Sequence, residues 1–284
     1  MRAAVFYEVG KPLVVEDVEL EAPRAGEVRV RIAATGVCRS DLHYIKGDLT
    51  MPTPVVLGHE AAGVVEELGT GVDSVRTGDH VVLLFAPACG HCRYCACGRP
   101  HLCEMRSRVR GKMPDGTTRL RVRGRDVHHF TCVSSWAEEA VVPASGVLPI
   151  DRDISFGVAA LLGCAVTTGV GAVVNTAQVP AGARVAVFGL GGVAVAVGLP
   201  PTNEDLAVPG LPFVLGEKTL RACFYGSSRL RFDIPRLLAL YGTGRLMLDE
   251  LVTAAFPLDR VNEAVATLDR GDGLRSILDM SAAR

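Results

Sequence analysis

Gly36-Val37-Cys38-Arg39-Ser40-Asp41-Leu42-His43 puts a thiol, a guanidinium, a hydroxyl, a carboxylate and an imidazole within six residues. Few folds have a structural use for that mixture, whereas a metal-centred redox site can use every member. Residues 27–34 (EVRVRIAA) lead into it and alternate with the period of a half-buried strand. Residues 3–7, 55–57, 63–67, 79–85 and 137–142 continue the β pattern, divided by Gly and Pro turns. Many short strands with irregular loops predict a small distorted barrel.

The chain has 284 residues, of which 49% are hydrophobic and 21% charged, so it is globular with a sizeable core. A net charge of −1 with dispersed Lys and Arg argues against nucleic acid or an acidic membrane as partner. The densest basic run, 106–125, lies among Gly, Pro and Asp and is expected to be a solvated loop. The opening residues MRAAVFYEVGKP lack the apolar core of a signal peptide. The most apolar run, 154–174, is Gly- and Ala-rich and broken by Cys164, Thr167 and Thr168, so no membrane span is expected. A cytoplasmic location follows, and there the nine cysteines read as metal ligands before disulfides.

Helical character is expected at 155–162 and 168–177. Residues 184–188 (RVAVF) read as a buried strand running into Gly189-Leu190-Gly191-Gly192-Val193. Further on, 219–225 is strand-like and 233–240 helical, with Pro235 near its first turn. Residues 258–269 form an amphipathic helix with Asp259 as its cap, and 274–278 a last strand.

Two constellations carry chemistry. Cys89, Cys92, Cys95 and Cys103 lie in CGHCRYCACGRPHLC, and four thiolates in a Gly-rich loop suit tetrahedral zinc with no open position, hence a structural site. An iron–sulfur cluster is the alternative, but no second cluster-type cysteine run accompanies it. Cys97 falls outside the spacing; an exchange of roles with Cys95 is the other arrangement. The second set is distributed: Cys38, Gly58-His59-Glu60 and Gly163-Cys164. Two thiolates and an imidazole, with a fourth position open, make a catalytic zinc site.

Together, GVCRSDLH, VLGHEAAGVV, GDHVVLLFAPACGHCRYC with GRPHLC, LLGCAVTTGVGA and VAVFGLGGV, then FYGSS, DIPRLLALY and LRSIL, resemble the zinc-dependent medium-chain alcohol dehydrogenases. The resemblance implies two zinc ions per chain, NAD as cofactor, and a small alcohol or aldehyde as substrate. It implies that Cys38, His59 and Cys164 hold the catalytic zinc, with Glu60 beside it. Asp41 would orient His59, Ser40 would receive the alcohol proton, and His43 would pass it towards solvent. Phe85 would line the substrate pocket. Arg39 and Arg275 would neutralise the cofactor pyrophosphate, with Gly189, Gly191, Gly192 and Val193 at the phosphate turn and Thr168 at the nicotinamide end. The bland alternatives are a surface Arg39, a helix-capping Ser40 or Asp41 and a packed Phe85. The long loop after Cys103, with KMPDG, FYGSS and DIPRLLALY, resembles the long-loop members, which include class III and actinobacterial enzymes. The stretch 210–225 resembles the family's subunit contact, which implies a homodimer or homotetramer.

One region departs from the pattern. Gly189, Gly191 and Gly192 begin a dinucleotide fingerprint, with Ala194 at its third glycine position. A helix and a second strand ending in Asp or Glu should follow. Instead only seven residues, 193–199, precede Pro200-Pro201, where a strand–helix–strand unit needs about 30 or more. AVAVGLPP resembles the last parallel strand of the family's cofactor domain, so the middle of that domain is absent. Glu204 and Asp205 follow the prolines and make poor ribose ligands. The expected architecture is of α+β and α/β type. A GroES-like β-barrel catalytic domain, 1–164 and 227–284, encloses a shortened Rossmann-type segment, 165–226. NAD affinity is expected to be severely reduced or lost, which leaves a zinc-binding remnant without activity as the alternative function.

Overall fold

The computed structural model describes residues 1–105, 110–180 and 193–281. Its strands are β1 (Arg2–Phe6), β2 (Val14–Asp17), β3 (Glu19–Leu20), β4 (Glu27–Gly36), β5 (Val55–Val56), β6 (Ala61–Leu68), β7 (His80–Leu83), β8 (Leu120–Val122), β9 (Arg125–His129), β10 (Glu139–Pro143), β11 (Val147–Pro149), β12 (Val193–Ala196), β13 (Thr219–Ala222), β14 (Val252–Phe256) and β15 (Arg275–Asp279). Two mixed sheets run β2-β1-β5-β9-β8-β3 and β11-β7-β6-β4-β15-β14, with β10 also paired to β4. One apolar core joins them and includes Phe6, Ile32, Leu57, Leu83 and Trp136. This is the GroES-like part of the expected fold.

β4 is the organising strand. Its alternation buries Val28, Val30, Ile32 and Ala34, all at most 2% exposed, because successive side chains of a strand point to opposite faces. It pairs antiparallel with β6, in a register that sets Thr35 opposite Ala61. That register brings the chain after Gly36 and the chain before Ala61 to the same end of the sheet. Helix α1 (Arg39–Lys46) starts there, with Cys38 as its N-cap. A second short helix, α2 (Arg93–Ala96), lies in the cysteine loop. The third, α3 (Phe156–Leu162), is capped by the Ser155 side chain and buries Val158 through Leu162 without a break. It packs across β4, β6 and β7 and ends at Gly163, delivering Cys164 to the same end.

The chain then runs through α4 (Ala165–Gly171) and a π turn (Ala172–Thr176). The expected helix at 168–177 therefore begins earlier and loosens at its end. α3 and α4 with the π turn bend by 48° at the break, and no single helix among the described residues is long and apolar enough to cross a membrane. β12 and β13 pair in parallel and stand apart from the other sheets. Between them lies α5 (Gly210–Leu215), so this is a reduced strand–helix–strand unit. After β13 the chain turns back into the barrel. α6 (Leu230–Gly242) and α7 (Val261–Arg270) follow, and β15 adds antiparallel to β4, with Ile277 opposite Gly36.

Three expectations need correction. Part of the 106–125 run is not a solvated loop: β8 and β9 pair antiparallel and Arg119 is wholly buried. Its guanidinium bonds both carboxylate oxygens of Glu27, at 2.9 and 2.5 Å, and Asp115 at 2.6 Å. A buried cation is tolerated where a bidentate partner meets it, and that partner lies 92 residues earlier. Asp259 pairs with Arg2 rather than capping a helix; a 3-10 turn (Leu258–Arg260) opens that element instead. The strand expected at 219–225 ends at Ala222, because residues 225–227 form a tight turn that drives Tyr225 into the core.

Candidate metal centre and active site

Asp41 is the hub of the first centre. It is 0% exposed. Its carboxylate accepts from the Cys38 backbone N–H at 3.0 Å, from the Gly58 N–H at 3.3 Å, and from His59 Nδ1 at 3.3 Å. One side chain thus fixes the Cys38 end of α1 to the Gly58-His59 turn. The bond to Nδ1 sets the imidazole tautomer and leaves Nε2 for a metal. Gly58 has φ +89°, and a Cβ there would lie 2.4 Å from Trp136 Cδ1, so the turn requires glycine.

Cys38, His59, Glu60 and Cys164 are all buried and offer ligand atoms within 4.8 Å of one another. The electrostatics suit a cation. The Cys38 thiol is held well below its usual range, chiefly by the neighbouring Cys164 thiol and also by His59. The proton is retained on Cys164, which is pushed up by Cys38 and by burial. Burial works against a charged His59, but Asp41 outweighs it and raises the imidazole. Burial, then the charge of Cys38, lifts Glu60 to about 8. Both Glu60 carboxylate oxygens are buried without a hydrogen-bond partner, and a Cβ on Gly36 would sit 2.2 Å from Oε2. A carboxylate kept in a space that only glycine leaves open, facing two thiols and an imidazole, fits a zinc ion.

The second centre is the cysteine loop. Cys89, Cys92, Cys95 and Cys103 cluster within 4.8 Å, with Cys92 Sγ 3.9 Å from Cys103 Sγ. Backbone N–H groups of Cys89 and Cys92 donate to the sulfurs of Cys103 and Cys89, each at 3.3 Å. Backbone donors from Cys95 and Glu104 bring the Cys92 thiol down to about 6, whereas burial raises Cys95 to about 12. Cys97 is exposed and outside the cluster. Four sulfurs with no open side fit a structural zinc ion.

The first centre opens into a cavity of about 500 Å³ lined by Ser40, Phe85, Cys164 and Thr168 among others. Ser40 Oγ lies 3.7 Å from Cys38 Sγ. His43, further along α1, is half-buried and its Nδ1 bonds Asp48 at 2.8 Å. Arg39 is exposed at the start of α1. Arg275 is half-buried, and its charge acts on Glu60. Gly189, Gly191 and Gly192 lie outside the described residues, and Val193 begins β12.

Sequence reading missed several cavity residues. Tyr225 stacks on Phe85 with ring centroids 3.9 Å apart, and its hydroxyl donates to the carbonyl of Gly163, beside Cys164. Phe130 meets His59 edge-on at 5.5 Å, and Tyr44 meets Phe130 at 5.1 Å. Tyr44 had a signal, since it lies four residues after Ser40 on one helix face. Phe130 and Tyr225 arrive from distant segments and had none.

Residues 24–152 match the alcohol dehydrogenase GroES-like domain. Among solved structures, an alcohol dehydrogenase zinc-binding domain protein from Burkholderia ambifaria superposes with a TM-score of 0.88 at 28% identity, covering 98% of both chains. Benzyl alcohol dehydrogenase from Acinetobacter calcoaceticus shares the fold, with a TM-score of 0.89 at 24% identity over 99% of each. "Putative alcohol dehydrogenase D" of Mycobacterium tuberculosis is 33% identical over 97% of this chain and 98% of its own. That match runs over 362 aligned residues against the 284 of this chain, so at least 78 positions have no residue here. One-third identity sustained along nearly the whole of both sequences makes this chain a member of the zinc-dependent medium-chain alcohol dehydrogenase family, oxidoreductases of the alcohol dehydrogenase type.

Proposed function

We propose that the chain interconverts an alcohol with its aldehyde or ketone at a zinc centre, with NAD as the hydride acceptor. The observation that carries this is the convergence of Cys38, His59 and Cys164 on one end of a cavity walled by Ser40 and Phe85. Those three residues would hold the catalytic zinc, with Glu60 beside it, and Cys89, Cys92, Cys95 and Cys103 a structural one, two per chain. When bound, the catalytic ion supplies Lewis acidity towards the alcohol oxygen. Asp41 holds the His59 ring in the ligating tautomer. Ser40 Oγ takes the alcohol proton, and His43, oriented by Asp48, hands it to solvent. Phe85 bounds the space for the substrate carbon chain.

The cofactor side fits a whole dinucleotide poorly. Among the described residues, 165–226 contribute one two-stranded parallel ladder, which makes no two-sided crevice. Glu204 and Asp205 are exposed beyond Pro201. Arg39, Arg275, Thr168, Val193 and, outside the described residues, Gly189, Gly191 and Gly192 remain the groups for pyrophosphate and nicotinamide. This observation favours a second reading, a zinc protein that has lost turnover.

Alcohol-dependent NADH formation at 340 nm, run beside a zinc assay, separates the two. NADH formation with zinc near two per chain upholds the first reading. No formation with the same zinc content upholds the second, and no zinc overturns both. The cytoplasm is the compartment that suits free thiols. A homodimer or homotetramer through 210–225 is part of the same proposal, and a monomeric mass by light scattering would refute it.

A further inference from the structure

Cys164 sits at a break between two helices. α3 ends at Leu162 and α4 begins at Ala165, and between them the Cys164 backbone leaves the helical region, at φ −147° and ψ −69°. A helix end leaves its last carbonyls without helical partners, and here side chains take two of them. The Thr167 hydroxyl donates to the Leu162 carbonyl at 2.6 Å. The Tyr225 hydroxyl donates to the Gly163 carbonyl, which belongs to the peptide that Gly163 shares with Cys164. On its other side Gly163 has no room to shift, since a Cβ there would lie 2.7 Å from the Leu83 carbonyl oxygen.

Tyr225 also reaches a second ligand. Its ring stacks on Phe85 with centroids 3.9 Å apart, and Phe85 meets the His59 imidazole edge-on at 5.2 Å. The Phe85 backbone lies against the same hydroxyl. Tyr225 is 2% exposed, and its backbone is strained, with φ +52° followed by +66° at Gly226 and +48° at Ser227. A bulky residue rarely adopts such a φ, and the conformation persists only where the surroundings over-determine it. They do so here. Asn175 Nδ2 donates to the Gly226 carbonyl at 3.0 Å, and the Thr176 and Ser227 hydroxyls are bonded at 2.9 Å. A Cβ on Gly171 would lie 2.2 Å from the Gly226 carbonyl oxygen, so α4 and this turn meet backbone to backbone. Filling the core would need neither the strain nor the hydroxyl. Aiming one hydroxyl at the Gly163 carbonyl needs both.

We propose that Tyr225 is a positioning residue for the catalytic metal. Its hydroxyl fixes the Gly163–Cys164 peptide, and with it the direction of the Cys164 sulfur, while its ring steadies His59 through Phe85. The proposal rests on the zinc reading of the first centre. Tyr225 acts through these two ligands rather than on the ion.

Cobalt(II) tests it without turnover, because charge transfer from thiolate and the visible d–d bands report how many sulfurs bind and in what geometry. The four-sulfur centre gives the more intense charge transfer, so the two centres are read separately. The cobalt-exchanged full chain is titrated with a chromophoric chelator, as parent, as Tyr225→Phe and as Thr167→Val. The parent should hold two ions. Tyr225→Phe keeps the ring on Phe85 and loses only the hydroxyl. It should hold the first-centre ion about tenfold more weakly, with shifted d–d bands, while the four-cysteine bands and the circular dichroism stay as in the parent. A residue that only supports the fold would lower the melting temperature and leave the bands in place. Thr167→Val removes the other buried hydroxyl bond, one carbonyl further from Cys164, and should leave first-centre bands and affinity as in the parent. Parent-like bands and affinity in Tyr225→Phe, or a loss in Thr167→Val as large as that expected for Tyr225→Phe, overturns the proposal and leaves the zinc reading standing. A parent that holds cobalt at the four-cysteine centre alone overturns both.

Discussion

The two parts of the molecule are built to different standards. In the barrel, α3 buries five consecutive residues and Asp41 satisfies three donors at once. In the segment between α4 and Tyr225, Leu206, Leu211, Val214 and Leu215 are 69–76% exposed, and its parallel ladder has two strands. The difference teaches that an internal loss is absorbed where it falls. Cys38 follows β4, His59 precedes β6 and Cys164 follows α3, so each of the three rests on an element of the barrel. The nucleotide site needs several parallel strands side by side, and nothing local replaces them.

The sharpest way to break this comparison is through the barrel's own buried charges. Arg119→Met leaves Glu27 ionised without its bidentate partner, and should cost about 3–5 kcal/mol in urea unfolding. A loss below about 1 kcal/mol would mean that the barrel is less tightly determined than its burial implies. Asp41→Asn should next weaken metal binding by about 10–100-fold, read by competition with a chromophoric chelator. An unchanged affinity would show that the His59 tautomer is fixed by something else.

Acid stability supplies a third probe. Burial, then Arg119, holds the His129 imidazole down to about 3. The unfolded chain takes up that proton near 6.5 and the folded chain does not, so stability falls as pH drops from about 6.5 towards 3. At pH 5 the contribution is about 2 kcal/mol. His129→Gln should flatten that slope relative to the parent in thermal melts from pH 7 to 4, and parallel slopes would refute the assignment. The smallest effect belongs to the exposed segment. Leu215→Lys should change stability by no more than about 0.5 kcal/mol while reducing self-association in light scattering. A mass unchanged from that of the parent would show that this surface is not the contact between subunits.

The ligand types, the alternating strands and the shortened fingerprint were all legible in the sequence, because each is a local pattern of residue type or spacing. Cys38, His59, Glu60 and Cys164 could be named from their stretches, and the structure brings them within 4.8 Å. Their meeting is a property of register: Thr35 opposite Ala61, with α3 laid across the same sheet. Arg119 shows the limit of composition, since a run of Arg among Gly and Asp reads as solvated until Glu27 is found 92 residues away. Tyr225 and Phe130 show it for the cavity, whose aromatic wall is assembled across the chain just after β7, α1 and two distant turns. The sequence by itself determined which atoms are available for chemistry and that the nucleotide half is short. Only the tertiary structure decided which of them meet, because burial, hydrogen-bond satisfaction and ring packing depend on neighbours that chain distance does not predict.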